Sequence, residues 1–353
     1  MTQPLDLLRL FDAQAEACSS LGSPFMGRLL RLLGRRLAPG DPVSDRLLAW
    51  PGDATAYGDA IALRLAGALH ALVLMGQDAE LQAAYPPNLL DDERLWAAVS
   101  GAMARHPEHM HRWLDSAPQT NEVRRATAMI LAAHMLAARC PGLPFRISEL
   151  GASAGLNLFF DRFGLALPDG TTRGPSRPVL TLSPDWTGPL PPQSQVLIAD
   201  RRGVDLNPLD PTSPADVLRL RSYTWPDQPD RMARLDAALS VATPVVDRAD
   251  AGAWLTARLN TPARGQIDLI YHTIAWQYFP ADTDAACATA IANAGARATP
   301  TAPVAHLSVE ADGKAPGAAL RLTLWTGTPE PEILNLGRMD AHGRHIVLAA
   351  PAR

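Results

Sequence analysis

The residues best suited to chemistry lie in one short segment, Glu149–Leu158, with the sequence Glu-Leu-Gly-Ala-Ser-Ala-Gly-Leu-Asn-Leu. It follows a strand-like apolar run and leads into residues that can continue as a helix. Glycines at the end of a strand let the backbone approach a ligand, and a following helix N-terminus attracts a carboxylate or phosphate. Gly151 and Gly155 therefore indicate a cofactor loop. The acid before them, Glu149, favours a ligand with an ammonium or sulfonium charge, such as S-adenosylmethionine.

The same letters also spell Gly-x-Ser-x-Gly, the pattern of a serine-hydrolase nucleophile turn with Ser153 as nucleophile. Asp250 with His272, or Asp340 with His342, could complete a triad in the required chain order. A hydrolase sheet, however, is usually under way before this turn, and an oxyanion-hole segment should lie upstream. Neither is apparent, which favours the cofactor loop. The absence of Gly-x-Gly-x-x-Gly argues against a nicotinamide or flavin cofactor.

Acids recur where later strands are predicted to end. Val196–Ile198 indicates a second strand, followed by Asp200 and Asp205, and Pro244–Val246 indicates a third, followed by Asp250. An acid after the second strand can bind both hydroxyls of a ribose, and one after the third can accept from an adenine amino group. The alternative for each acid is a helix N-cap or a turn.

The fourth predicted strand, Ile267–Tyr271, ends at a histidine. His272 there would overlook the reacting end of a cofactor and act as a general base, while Trp276 or Tyr278 would wall the acceptor pocket. The alternative is a strand-end histidine that bonds only to backbone.

A further polar string, Thr-Asn-Glu-Val-Arg-Arg, starts at Thr120, at the beginning of the long helix before the sheet. Thr120 or Asn121 could simply cap that helix. Alternatively, Asn121, Glu122 and Arg125 could reach the acceptor.

The elements that must position these residues form two regions. Residues 1–140 show apolar residues at helical spacing and predict an all-α N-terminal domain. Pro141–Pro144 then interrupts the chain, and residues 141–353 predict an α/β domain with short apolar strands between helical segments. Late strands lie close together, which favours a mainly parallel sheet with an antiparallel edge. Pro168–Pro192, rich in Pro, Gly, Thr and Ser, predicts a long surface excursion.

Composition excludes several classes of function. The chain carries 32 basic and 36 acidic side chains, a formal charge of -4, so we expect no nucleic-acid or membrane partner. Three widely spaced cysteines indicate buried free thiols. Asp340, His342 and His345 favour a hairpin over a metal site, and no metal is assigned. Without a secretory signal or a membrane-length apolar run, cytoplasm is the expected compartment.

Several segments together resemble a bacterial family known only as a domain of unknown function (DUF 2332), whose members look like class I S-adenosylmethionine-dependent methyltransferases. The matching segments are Gln119–Arg125, Glu149–Leu158, Arg201–Asp210, Trp225–Gln228, His272–Thr273 and Asp340–Gly343. The resemblance implies a Rossmann-like, seven-stranded methyltransferase sheet with a helical N-terminal extension. Two features depart from well-characterised methyltransferases: Ser153 replaces the middle glycine, and no Asp/Asn-Pro-Pro-Tyr follows the fourth strand. The second departure disfavours methylation of nucleic acid bases.

The expected activity is methyl transfer from S-adenosylmethionine to a small-molecule acceptor. The alternatives are a non-catalytic binder of an adenosyl ligand and a serine hydrolase using Ser153. The predicted cofactor site comprises Glu149, Gly151, Ser153, Gly155, Asn157, Asp200, Asp205, Asp250 and Thr273. The predicted acceptor site comprises Asn121, Glu122, Arg125, Trp276 and Tyr278, with His272 as the catalytic residue.

Overall fold

A computed structural model describes residues 6–56 and 58–349. Its α-helices are α1 (Leu7–Ser20), α2 (Pro24–Arg36), α3 (Pro42–Leu48), α4 (Ile61–Met75), α5 (Ala79–Ala84), α6 (Asp92–Arg105), α7 (Pro107–Leu114), α8 (Ala126–Arg139), α9 (Pro214–Ser222), α10 (Pro229–Leu239), α11 (Ala251–Leu259) and α12 (Ala281–Ala296). Three 3-10 helices are η1 (Val123–Arg125), η2 (Leu156–Arg162) and η3 (Trp276–Tyr278).

The strands are β1 (Phe145–Leu150), β2 (Phe163–Ala166), β3 (Thr172–Arg173), β4 (Leu180–Leu182), β5 (Asp185–Thr187), β6 (Ile198–Asp205), β7 (Val246–Arg248), β8 (Ile267–Thr273), β9 (Val304–Glu310), β10 (Ala318–Trp325), β11 (Glu332–Met339) and β12 (His345–Leu348). Within the described ranges, no helix is both long and apolar enough to cross a bilayer.

The chain divides into two compact units, Met1–Thr120 with Pro214–Ala233, and Asn121–Ser213 with Arg234–Arg353. The predicted division at residue 140 differs from this one in two respects. Helix α8 belongs to the unit that contains the sheet, and the segment that begins with α9 returns to the helical unit. The reason for the return is burial, because Tyr223 and Trp225 lie in the hydrophobic core of the first unit.

The helices of the first unit begin where the sequence supplies caps. Ser23 precedes Pro24, and its hydroxyl accepts from the N–H of Met26, while Asp41 and Asp91 cap α3 and α6 in the same way. Such caps satisfy backbone donors that have no partner within the helix. The apolar residues of α2 and α4 are buried in the core, which confirms the helical spacing predicted within residues 1–140.

The second unit is a mixed α/β structure around a large, mostly parallel sheet. Its nine strands follow the order β5-β12-β11-β10-β9-β8-β1-β6-β7. Strands β7, β6, β1, β8 and β9 are parallel, and β10, β11 and β12 continue the sheet as antiparallel neighbours, with β5 at the edge parallel to β12. The sheet thus has nine strands where seven were expected.

The apolar runs located most strands, but not their ends. Strand β1 coincides with the strand-like apolar run before the glycine loop, whereas β6 continues through charged residues to Asp205, and β11 was not predicted. The predicted excursion Pro168–Pro192 is partly ordered as strands: β3 and β4 flank β2 in a small sheet, and β5 joins the main sheet. Asp340 to Arg344 forms the turn between β11 and β12, so the predicted hairpin is confirmed.

The two faces of the sheet carry different residues. Leu150 and Ile270 lie in one hydrophobic cluster with residues of α11 and α12. Glu149 and Tyr271, each one residue away and paired across β1 and β8, point to the opposite face, because successive side chains alternate along a strand. On that face the ring of Phe160 in η2 packs edge-on against Tyr271.

Candidate functional site

The loop after β1 has the backbone conformation that its glycines permit. Gly151, Ser153 and Gly155 have φ of 68°, 53° and 71°, in the left-handed region that favours glycine. Ser153 therefore occupies a glycine-like position, as the sequence indicated. A Cβ on Gly151 would lie 2.6 Å from that of Ala275, so this glycine also allows β1 and the segment after β8 to approach.

The N–H groups of this loop are largely taken by the protein. Oδ2 of Asp205 accepts from the N–H of Ser153 at 2.8 Å, and Oδ1 of Asn121 accepts from that of Leu156 at 2.9 Å. The following helix, η2, is a 3-10 helix of seven residues. The expectation of free helix N-terminal donors for a cofactor is therefore wrong at Leu156, whose N–H is already capped.

Two side-chain oxygens near the loop are buried without a hydrogen-bond partner among the described residues, Oγ of Ser153 and Oδ1 of Asn157. The amide of Asn157 does donate, from Nδ2 to the backbone carbonyl of Glu122 at 3.3 Å. Buried polar atoms are nearly always satisfied, so orphaned ones mark places where a bound polar group would be stabilised. Because no histidine contacts Oγ of Ser153 in this part of the chain, the triad of a serine hydrolase is not assembled there.

The acids predicted to follow the second strand, Asp200 and Asp205, have different partners. Asp205 ends β6 at the level of the loop, where it accepts from Ser153 and from the N–H of Asn207. Asp200 pairs in register with Arg146, near the amino end of β1. The prediction that Asp200 follows the second strand is wrong, because the strand continues for five further residues, roughly 16 Å. Asp200 instead forms an ion pair with Arg258 at 2.6 Å.

The third acid serves as a helix cap. Oδ1 of Asp250 accepts from the N–H groups of Gly252 and Ala253, the first turn of α11, and Oδ2 accepts from the hydroxyl of Thr283. These bonds lower the pKa of Asp250, with the bond from Thr283 contributing most. The cap alternative for this residue is therefore confirmed.

Glu149 is a buried acid, 2% exposed, beneath the loop. Burial raises its pKa well above the usual value, and the hydroxyl of Tyr271 at 3.4 Å and the charge of Arg125 offset this only in part. A buried carboxyl of this kind stays protonated until a positive charge arrives, because ionisation without a partner is costly. Glu149 is thus suited to respond to a cationic ligand.

The side chains predicted to bind the acceptor instead join segments of the second unit. Arg125 donates from Nε to the carbonyl of Ala341 at 2.9 Å and from Nη1 to that of Thr273 at 3.0 Å. The carboxylate of Glu122 accepts from the N–H of Arg124 and caps η1. The cap of η1 is therefore Glu122. The alternative that Thr120 or Asn121 caps the helix is wrong.

His272 lies on the face opposite Glu149, and its side chain is 2% exposed. Its Nδ1 is 2.7 Å from Oε1 of Glu310, and its Nε2 is 2.9 Å from Nε2 of His306. The ring of Trp276 packs on it, with centroids 4.6 Å apart. The alternative of a bond only to backbone is wrong, because the imidazole contacts two side chains of β9. The role of His272 as a base stays a prediction.

Glu310 organises the turn after β8. Its Oε1 also accepts from the N–H groups of Ala275 and Trp276, at 3.0 and 3.1 Å, and the preceding Ile274 has a left-handed φ of 51°. Burial alone would raise the pKa of Glu310, but the bond and charge of His272 and the two N–H groups hold it below its usual range. Strained backbone persists only where the surroundings determine it strongly, as these bonds do.

The sequence model of a family described as "Uncharacterized protein conserved in bacteria (DUF2332)" matches residues 9–347. The chain belongs to this bacterial family. No curated protein and no solved structure matches it at a significant level.

The sequence did not single out His306 and Glu310 in this family member. A pattern for them exists, because polar residues alternate with apolar ones along β9 at His306, Ser308 and Glu310. Period-two alternation predicts that these three share one face of the strand.

Of the remaining predicted residues, Tyr278 is 57% exposed and Trp276 donates from Nε1 to Asp284.

Proposed function

We propose that the chain is an S-adenosylmethionine-dependent methyltransferase with a class I, Rossmann-like sheet, acting on a small-molecule acceptor. The observation that carries the proposal is the reversal of strand order at β1. From β1 the chain adds β6 and β7 on one side, then β8 and β9 on the other. In open α/β sheets, ligands bind outside the carboxyl ends of the strands at such a reversal. The loop from Gly151 to Gly155 lies at that point.

Neighbouring residues supply groups that suit an adenosyl ligand. Leu206, directly after Asp205, is 64% exposed and offers apolar surface for a planar base. The orphaned oxygens of Ser153 and Asn157 offer acceptors, or a hydroxyl donor, to ligand polar groups. Glu149 ionises when the sulfonium or ammonium charge of the ligand comes near. Together these groups cover the apolar, polar and cationic parts of one molecule.

The chemistry needs little from protein side chains. The methyl group leaves the sulfonium as a new bond forms to the acceptor nucleophile, the sulfur keeps the bonding electron pair as a thioether, and the acceptor's proton passes to water. Alignment of the two reactants supplies most of the acceleration. The burial of His272 on the other face is therefore compatible with this reaction.

Titration calorimetry of the full chain with S-adenosylmethionine and S-adenosylhomocysteine tests the proposal. Two exposed leucines flank β6 at opposite ends and make a matched pair: Leu206 at 64% and Leu197 at 46% exposure. Leu206→Ser should weaken binding about tenfold through lost apolar contact, since tenfold corresponds to about 1.4 kcal/mol. Leu197→Ser should leave affinity unchanged.

Absence of binding to both compounds would refute the proposal, and equal effects of the two leucine variants would move the ligand elsewhere. Methyl transfer itself is followed as S-adenosylhomocysteine formed during incubation with a small-metabolite extract. Binding without any such product would support the non-catalytic adenosyl binder instead.

A further inference from the structure

A pocket of about 340 Å³ lies on the α12 side of the sheet, the face opposite Glu149. Its lining includes Trp276, His306, Ser308, Arg321, Thr323 and Trp325. The walls are mostly apolar, and a few polar groups converge on one side. Small-molecule sites in proteins have this volume and this composition.

Strand register brings the polar groups together. Ser308 pairs with Arg321 and His306 pairs with Thr323 across β9 and β10. Side chains at directly opposed positions of antiparallel strands lie on the same face, with Cβ atoms about 5 Å apart. Four hydrogen-bonding side chains therefore form a compact patch.

Arg321 supplies a charge to this patch. It is exposed and makes no ion pair with any residue in the described part of the chain. Two other arginines of this sheet differ, because Arg201 pairs with Asp161 and Arg146 with Asp268. A guanidinium at the edge of an apolar pocket, without its own carboxylate, is complementary to the carboxylate of a ligand.

His306 supplies a ring nitrogen that can form a hydrogen bond with a ligand. Nε2 of His306 is 2.9 Å from Nε2 of His272, whose Nδ1 is 2.7 Å from Oε1 of Glu310, so Nε2 of His306 is occupied by this pair. Nδ1 of His306 has no hydrogen-bond partner among the described residues. Burial, with the charges of His272 and Arg321, lowers the pKa of His306 to about 3, so the ring stays neutral near pH 7.

The apolar walls are held in place by packing. A Cβ on Gly295 of α12 would lie 2.7 Å from the ring of Trp325, so the glycine lets this indole lie against the helix. Trp276 is fixed by the bond from its Nε1 to Asp284 at 2.8 Å. Two aromatic surfaces thus flank the polar patch.

We propose that this pocket binds a small hydroxy acid with an aromatic or other apolar body. Arg321 pairs with the ligand's carboxylate, and Nδ1 of His306 forms a hydrogen bond with its hydroxyl. Trp276 and Trp325 contact its hydrocarbon part. The site is separate from the loop after β1, and it does not depend on the proposed methyl transfer.

Three probes separate the two polar contacts by calorimetry on the full chain. 3-Phenyllactate has both the carboxylate and the hydroxyl, 3-phenylpropionate lacks the hydroxyl, and 3-phenylpropane-1,2-diol lacks the carboxylate. We expect saturable binding of 3-phenyllactate with one site per chain. Loss of the hydroxyl should weaken it about fivefold, and loss of the carboxylate at least about tenfold.

Variants assign each loss to a residue. Arg321→Gln should lower the affinity for 3-phenyllactate to that for the diol and leave the affinity for the diol unchanged. Arg264→Gln, at another exposed arginine of this unit, is the matched control and should change neither affinity. His306→Gln keeps an amide that can form a hydrogen bond with His272, and it should remove the preference for 3-phenyllactate over 3-phenylpropionate.

The proposal is overturned if none of the probes binds, if the diol binds as tightly as 3-phenyllactate, or if Arg321→Gln has no effect. Displacement of 3-phenyllactate by inorganic phosphate at equal concentration would also overturn it, since that result indicates a general anion site. Far-UV circular dichroism of each variant confirms that it is folded.

Discussion

Replacing Glu149 by glutamine should change how the stability of the sheet unit depends on pH. The carboxyl is fully buried, and burial raises its pKa well above the value of 4.5 that it has in an open chain. Glutamine has the same shape and cannot ionise. At neutral pH the variant should therefore be more stable than the natural protein in the absence of ligand.

The sign and the size of the effect follow from proton binding. Between the unfolded and folded pKa values, the folded state holds a proton that the unfolded state has released. The contribution of Glu149 is thus complete below about pH 4.5 and is lost as pH rises toward the folded pKa. One proton limits the slope to about 1.4 kcal/mol per pH unit, so the variant gains at most about 3 kcal/mol by pH 7.

Hydrogen exchange measured by mass spectrometry on peptides from β1 and β8 reports the opening free energy of this unit. The difference between Glu149→Gln and the natural chain should be small at pH 5 and grow through pH 8. Glu330→Gln, at an exposed glutamate of the same unit, should show the same pH dependence of the opening free energy as the natural chain. If the Glu149 variant also showed that pH dependence, Glu149 would be ionised in the folded protein and the argument from burial would fail.

Four other outcomes follow. Ser153→Gly should raise the stability of β1 peptides by about 0.5 kcal/mol, because glycine removes the left-handed strain; a loss would contradict this. Gly151→Ala should lower that stability by about 1–3 kcal/mol through φ and the contact with Ala275, and an unchanged value would show that the loop adapts. Glu310→Ala should cost about 3 kcal/mol at pH 7, as it leaves His272 and two N–H groups without their acceptor. Because the folded pKa of Glu310 is lowered, that contribution fades as pH falls below about 4.5 and through the folded pKa, so a constant difference at all pH values would argue against it. The ring resonance of His306 should not shift between pH 5 and 8, and a titration near 6.5 would show that the ring is exposed.

Features governed by local sequence were predictable. The apolar residues at helical spacing in α2 and α4 and the apolar run of β1 were visible in the sequence, because these elements are buried in the cores of their units. The glycine-like conformation of Ser153 follows from its place between Gly151 and Gly155. The three cysteines are buried and free, as their spacing indicated.

The end of β6 was not predictable from the apolar pattern. Its sequence continues past Ile198 with Asp200, Arg201 and Arg202, which suggest a turn. In the folded chain Arg201 pairs with Asp161 at 2.7 Å, and Arg202 pairs with Asp247 at 2.6 Å. Partners supplied from other segments neutralise these charges, so the strand continues.

The surroundings of His272 were also outside the reach of local patterns. Its partners, His306 and Glu310, lie 34 and 38 residues away in the chain. The apolar run of β8 located the histidine at a strand end. It did not say which face the side chain occupies or which strand lies beside it.

The sequence alone determined the elements of this protein: the helices of the first unit, the strands of the parallel sheet, and a glycine loop after the first strand with an acid before it. These depend on residue type and spacing within a few turns or one strand. The tertiary structure alone decided which side chains meet. It directed Asp200 to an ion pair with Arg258, and it brought His306 and Arg321 to one pocket. The reason is that pairing of strands and alternation of faces are set by contacts between distant segments, which no single segment records.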